Sequence, residues 1–128
     1  MEKEFVPYEL AVKLKALGFD EPCFAYYKDM KGEKVLLYDS MDFDGECNVP
    51  LYQQAFRWFR EKHGLFTSII VDQTTKPKFY YNISEYYEDE TTWEWKDGWG
   101  NSSLYRTYEE AERDCLTKLI EITEKHEN

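Results

Sequence analysis

Apolar positions recur at helical spacing in three parts of the chain. In the first, Leu10, Leu14 and Leu17 repeat along one side of a helix between Pro7 and Gly18. Proline suits the first helical position because its missing N–H needs no partner there. Glycine suits the left-handed residue that often ends a helix. These signals predict a helix from Pro7 to Leu17.

The second helical segment repeats these signals between Pro50 and Gly64. One side of this segment is apolar, and charged residues occupy the other. The apolar residues are Tyr52, Ala55, Phe56, Trp58 and Phe59.

The third helix is predicted to begin at Thr107. Thr107 and Glu110 have the spacing of a capping box, in which each side chain accepts a hydrogen bond from the other residue's backbone N–H. A buried stripe is predicted for Ala111, Cys115, Leu116, Leu119, Ile120 and Ile122.

Five segments between these helices alternate in polarity or are rich in β-branched and aromatic residues, which predicts strands. They are 23–28, 34–39, 66–72, 78–87 and 91–96. Gly32 indicates a hairpin between the first two. Strands that follow one another tend to pair antiparallel, and helices then cover one face. We predict one α+β domain over residues 1–128, in the order α-β-β-α-β-β-β-α, with an antiparallel sheet and helices on one of its faces.

Composition supports a folded, acidic protein. The 128 residues are 18% aromatic and carry a net charge of -10. Aromatic side chains bury large areas, so disorder is not expected. The negative charge disfavours direct binding to nucleic acid and to anionic membranes, and it is compatible with a protein partner. Composition does not determine the oligomeric state.

The cysteines and the apolar runs bear on location. Cys23, Cys47 and Cys115 are odd in number and far apart, which does not predict a disulfide framework. The first residues contain no basic segment followed by an apolar run, and no apolar run reaches the roughly 20 residues of a membrane span. These features predict a cytoplasmic protein without a signal peptide.

One acidic loop partly matches a calcium-binding loop. Asp42, Asp44 and Gly45 fit the third, fifth and sixth positions of such a loop. However, Ser40 and Leu51 stand where two essential carboxylates belong. We therefore predict no metal site and interpret the loop as solvated.

Catalytic signatures are absent from the sequence. His63 and His126 have no second histidine or cysteine at ligand spacing. Phosphate-binding loops and nucleophile elbows are also missing. We therefore predict no cofactor and no catalytic residue, although partners distant in sequence can still meet in space.

The segment 85–100 is the most unusual, because aromatic residues alternate there with acidic ones. The candidate binding residues are Tyr86, Tyr87, Trp93, Trp95 and Trp99. If exposed, they would form a platform for a peptide, a sugar ring or a basic partner. The alternative is that Trp93 and Trp95 face the core, because large exposed aromatic patches are uncommon on monomers.

Four stretches carry a resemblance to known proteins. They are 6–11, 17–23, 51–62 and 108–112. Together they resemble a family of short uncharacterised proteins from Bacteroides-type gut bacteria and their phages or mobile elements. The resemblance implies a cytoplasmic setting and a phage-related or mobile-element origin, and it implies no activity, cofactor or functional residue.

Three functions remain open at this point. The first is a non-catalytic protein-interaction or accessory module. The second is an acidic mimic of nucleic acid that inhibits a host DNA-binding protein, which would require its carboxylates to form a continuous stripe. The third is an enzyme of unrecognised type, which would require a pocket with converging polar groups.

Overall fold

The computed structural model describes residues 2–38, 47–74, 76–88, 93–96 and 102–127. For residues 2, 86–88, 93–96 and 127 it describes the backbone alone.

The described elements alternate between helices and antiparallel strands, which confirms the predicted α+β class. The helices are Tyr8–Ala16 (α1), Tyr52–His63 (α2) and Tyr108–Glu127 (α3). The strands are Ala25–Met30 (β1), Glu33–Leu37 (β2), Cys47–Val49 (β3), Leu65–Asp72 (β4), Lys78–Glu88 (β5) and Trp93–Lys96 (β6). The predicted order is confirmed, with β3 as an additional short strand.

The strands form two sheets rather than the one that was expected. Their orders are β2-β1-β3 and β4-β5-β6, and every pairing is antiparallel. Contacts between Cα atoms divide the chain into two compact units, residues 1–55 and 56–128. The prediction of one domain stays a prediction.

In the first unit, α1 covers one face of the sheet. Ala25, Cys47 and Val49 belong to the same register row and are buried. The rings of Tyr8 on α1 and Tyr27 on β1 meet edge to face, with centroids 5.5 Å apart. This row is therefore the core-facing side of β1 and β3.

The ends of α1 follow from local sequence, with one correction. Pro7 is the residue before the helix rather than its first residue, and its carbonyl accepts hydrogen bonds from Leu10 and Ala11. At the other end Gly18 has a φ of 103°. The N–H of Phe19 bonds to the carbonyl of Leu14 and that of Gly18 to Lys15, which is a Schellman motif. The predicted glycine cap is confirmed.

The predicted hairpin at Gly32 is also confirmed. The two residues between β1 and β2, Lys31 and Gly32, have φ values of 57° and 87°. Positive φ at both positions defines a type I′ turn, whose twist matches that of the flanking strands. The N–H of Gly32 bonds to Asp29 Oδ1 at 3.0 Å.

The second helix begins later than predicted. Pro50 does not open it, because α2 starts at Tyr52 and the N–H of Ala55 bonds to the carbonyl of Leu51. Four of the five predicted apolar residues are buried, and Phe56 is half-buried. After His63, Gly64 has a φ of 66° and ends the helix as predicted.

In the second unit, α3 packs on the sheet formed by β4 and β5. Leu65 and Ile83 lie in one register row and are buried. All six residues of the predicted helical stripe are buried on α3. The sheet of the second unit therefore has one face covered by a helix, as the sheet of the first unit does.

The capping box of α3 forms in part. The N–H of Glu110 bonds to Thr107 Oγ1 at 3.1 Å, as predicted. The Thr107 hydroxyl itself donates to Glu110 Oε1 at 3.1 Å, so the carboxylate bonds to the hydroxyl as well.

Candidate functional site

The strands β5 and β6 form a hairpin that contains four of the five candidate binding residues. Tyr86 stands opposite Trp95, and Tyr87 stands opposite Glu94. Glu88 stands opposite Trp93. Trp99 lies outside the described residues. The sheet pairing thus brings Tyr86 and Trp95 together as a cross-strand pair, which their separation in sequence did not indicate.

Register assigns the residues of this hairpin to two rows. Residues opposite one another belong to one row, and rows alternate along a strand. Tyr86, Trp93 and Trp95 fall in the row that includes Asn82 and Ser84. Tyr87 falls in the other row, with the buried Ile83. Three of the candidates therefore share a row that is distinct from the one packed under α3.

The hairpin lies at the margin of its sheet. In the order β4-β5-β6, β6 is an outer strand. An outer strand presents backbone N–H and C=O groups on its free side, and a partner strand can pair with them. Near the start of β5, residues 102–105 lie beside the strand on the side that β6 occupies near its end. There Tyr105 exchanges two backbone hydrogen bonds with Phe79, of 2.9 and 2.7 Å.

Negative charge is concentrated in the same segment. Residues 85–97 contain six acidic residues and one basic residue, a net charge of -5. The whole of residues 56–128 contains 15 acidic and ten basic residues, which is also a net -5. Outside the hairpin, the second unit is formally neutral.

A cluster of tyrosines that the sequence did not reveal lies under α3. The rings of Tyr81 and Tyr105 stack with centroids 6.2 Å apart. Burial, together with the Asp114 carboxylate that accepts its hydrogen bond, raises the pKa of Tyr105 to about 12. Burial also raises the pKa of Tyr81. Both hydroxyls are therefore protonated at neutral pH and act in packing and hydrogen bonding rather than as bases. No motif marks this arrangement, because Tyr81 comes from a strand, Tyr105 from a loop and Asp114 from a helix.

The three thiols are buried and unreactive in character. Burial raises the pKa of Cys23 to about 12 and raises those of Cys47 and Cys115. Nucleophilic cysteines need the opposite shift, because the thiolate is the reactive form. All three are free of disulfides, as expected from their spacing.

The two histidines lie in different surroundings. The ring of His63 contacts the rings of Trp58 and Phe59, with centroids 4.9 and 5.8 Å away. His126 is exposed in the last turn of α3. Neither lies beside a thiol with a lowered pKa, so the geometry assembles no Cys–His nucleophile from the described residues.

Metal and membrane binding can be judged for part of the chain. Within the described ranges, no group of three or more His, Cys, Asp or Glu side chains could hold a metal ion. The acidic loop 39–46 lies outside those ranges. None of the helices in the described part of the chain is long and apolar enough to cross a lipid bilayer.

Comparison with known proteins adds no relative. No protein-family model, curated protein or solved structure matches the chain. The resemblance to short proteins of gut bacteria and phages therefore stays a prediction.

Proposed function

We propose that this protein is a non-catalytic interaction module that binds a basic segment of a partner protein along the β5–β6 hairpin. One observation carries the proposal: the net negative charge of the second unit equals that of residues 85–97, where four aromatic residues occupy hairpin positions. Carboxylates attract lysine and arginine, and aromatic rings attract the same cations through their faces.

The position of β6 supports an extended partner segment. A peptide that lies along an outer strand gains backbone hydrogen bonds in addition to side-chain contacts. Alternation along such a peptide would present every second side chain to one row of the hairpin. A basic segment with arginine or lysine at alternate positions fits the row that contains Tyr86, Trp93 and Trp95.

The distribution of charge on α3 favours this module over a mimic of nucleic acid. A mimic requires a continuous stripe of carboxylates. On α3, Asp114 lies 3.8 Å from Arg113 and Glu121 lies 4.0 Å from Lys118. Basic side chains therefore interrupt the acidic residues along this helix.

Two further features bear on where the protein acts. Three free, buried thiols suit a reducing compartment, which supports a cytoplasmic location. The resemblance to small proteins of Bacteroides-type bacteria and their phages supports an accessory role, with a protein of the bacterial cell as the partner.

The test is a titration with a labelled peptide of alternating arginine and serine, followed by fluorescence anisotropy. We expect saturable binding that weakens as salt increases, because the attraction is partly electrostatic. Replacing Glu88, which shares the row of Tyr86, Trp93 and Trp95, with lysine should weaken binding about tenfold, roughly the effect of 1.4 kcal/mol. The variant Trp95→Ala should weaken binding while leaving the net charge unchanged.

The matched control is Glu124→Lys, which changes the charge of an exposed residue on α3. Equal loss of binding in the hairpin and α3 variants would mean that the peptide senses only net charge, and the proposal would be wrong. The mimic would be favoured instead if this protein bound a DNA-binding protein and duplex DNA competed with it for that partner.

A further inference from the structure

The first sheet has a face that α1 does not cover. Register places Tyr26 opposite Leu37, Lys28 opposite Val35 and Met30 opposite Glu33. These residues alternate with the row of Ala25 and Val49, which is buried. None of the residues in the uncovered row is buried.

The uncovered row is largely apolar. Met30 is 50% exposed, and Phe24, immediately before β1, is 66% exposed. Tyr26, Val35 and Leu37 are half-buried between strands. A contiguous apolar surface rimmed by charges is typical of a protein-binding face.

Two opposite charges lie side by side on this face. Lys28 and Glu33 are diagonal neighbours on β1 and β2, and both are exposed. Neither forms an ion pair with another described residue, whereas the neighbouring Lys34 lies 3.6 Å from Asp29 in the opposite row. A surface with one cation and one anion side by side among apolar residues is complementary to itself across a two-fold axis that passes between them.

We propose that a second copy of this chain packs on this face through a two-fold axis that passes between Lys28 and Glu33. In such an isologous contact, residue i meets residue j of the other copy and j meets i. Each Lys28 then faces Glu33 of the other copy, and the apolar residues pack across the axis. The inference concerns a different surface from the β5–β6 hairpin and does not depend on the proposed function.

The size of the face sets the strength of the association. Three strands about 4.8 Å apart, with a rise of about 3.3 Å per residue, span roughly 15 by 20 Å. Stable interfaces bury about 800 Å² on each partner, so this contact is smaller than a permanent one. We expect a reversible dimer that forms at protein concentrations of roughly 10 µM to 1 mM.

Sedimentation equilibrium over that range tests the proposal with charge variants. The wild-type protein should approach twice its mass of 15.5 kDa as concentration rises. Lys28→Glu and Glu33→Lys should each weaken association roughly tenfold or more, because each places like charges together twice. The double variant K28E/E33K should dimerise like the wild type, and an equimolar mixture of the two single variants should form a mixed dimer.

Lys31→Glu is the matched control, because it makes the same charge change at the turn of the same hairpin. A protein that stays monomeric throughout the range would overturn the proposal. So would a dimer that Lys28→Glu leaves intact, or one that Lys31→Glu disrupts equally. Circular dichroism of each variant checks that the fold is retained. Peptide binding by the β5–β6 hairpin is measured separately, so failure of either proposal is distinguishable from failure of the other.

Discussion

The two hairpins of this protein are built and charged differently. The β1–β2 hairpin has a two-residue turn, and residues 25–37 contain three lysines, one aspartate and one glutamate, a net +1. Its Lys34 pairs with Asp29 and lies 5.1 Å above the ring of Tyr8. In the β5–β6 hairpin, residues 85–97 have a net charge of -5. The first hairpin thus balances its charges internally, whereas the second concentrates charge of one sign.

The source of the strand register also differs between them. In the first hairpin, the type I′ turn dictates which residues face each other. In the second unit, β5 is aligned along its length by the eight pairs that it makes with β4, and its buried row packs under α3. Local sequence therefore determines the first hairpin, whereas β5 of the second hairpin is held in place by its pairing with β4 and by α3.

Removing a buried side chain from β5 should have the largest effect. Ile83→Ala deletes methyl groups from a residue that is 1% exposed beneath α3. We expect the free energy of unfolding to fall by about 3 kcal/mol, measured by urea denaturation. Ile70→Ala, in the opposite row of the same sheet, makes a similar deletion at a half-buried site and should cost less than half as much. Equal losses would show that the two rows do not differ.

Alkaline pH should destabilise both units through groups whose pKa is raised in the folded protein. The folded pKa of Cys23 is raised from 9.0 to about 12, and that of Tyr105 from 10.0 to about 12. The unfolded chain therefore loses these protons first, and the free energy of unfolding falls as pH rises from about 9 to 12. Each group that ionises only on unfolding contributes a slope of up to about 1.4 kcal/mol per pH unit.

Two variants test which group causes the free energy of unfolding to fall with pH. Cys23→Ala should reduce the loss that begins near pH 9, and Tyr105→Phe should reduce the loss that begins near pH 10. Denaturation at a series of pH values measures both. An unchanged slope in Cys23→Ala would contradict burial as the cause of the raised thiol pKa.

Disrupting the local cap of α1 should have a smaller effect. Gly18 has a φ of 103°, and nothing lies within 4 Å of the position that a Cβ would occupy. Gly18→Ala therefore introduces backbone strain without a clash, and we expect a loss of about 1 kcal/mol in urea denaturation. Gly18→Asn should cost less, because asparagine tolerates left-handed conformations better than alanine.

Improving the type I′ turn should have the smallest effect, with the opposite sign. Lys31 occupies a position with a φ of 57°, which asparagine adopts more readily than lysine. We expect Lys31→Asn to stabilise the protein by about 0.5 kcal/mol. The control Lys28→Asn removes the same charge from an extended strand position and should give no such gain. Both are measured in protein too dilute to form the proposed dimer. A destabilised Lys31→Asn would argue against local control of this hairpin.

Local signals predicted the elements accurately where glycine or side-chain capping was involved. Gly18, Gly32 and Gly64 each have positive φ where a helix end or turn was expected. The prolines were less informative: Pro7 and Pro50 precede their helices by one and two residues. Proline fixes its own φ but does not specify whether the next residue or a later one begins the helix.

The candidate site was predictable only as a set of residues. Alternation of aromatic and acidic residues drew attention to 85–100, but the pairing of Tyr86 with Trp95 required the register of β5 and β6. The tyrosine cluster had no sequence signal at all. Tyr81, Tyr105 and Asp114 come together because residues 102–105 pair beside β5 while α3 crosses the same face.

The amino-acid sequence by itself determined the α+β class, the three helices with their buried stripes, and the turn at Gly32, because each depends on periodicity or backbone freedom within a few residues. Tertiary structure decided that the strands form two sheets, that a short third strand pairs with β1, and which rows lie under a helix. Those outcomes depend on burial and on backbone hydrogen bonds between distant segments, and the alternating pattern of a strand is the same whichever neighbour it finds.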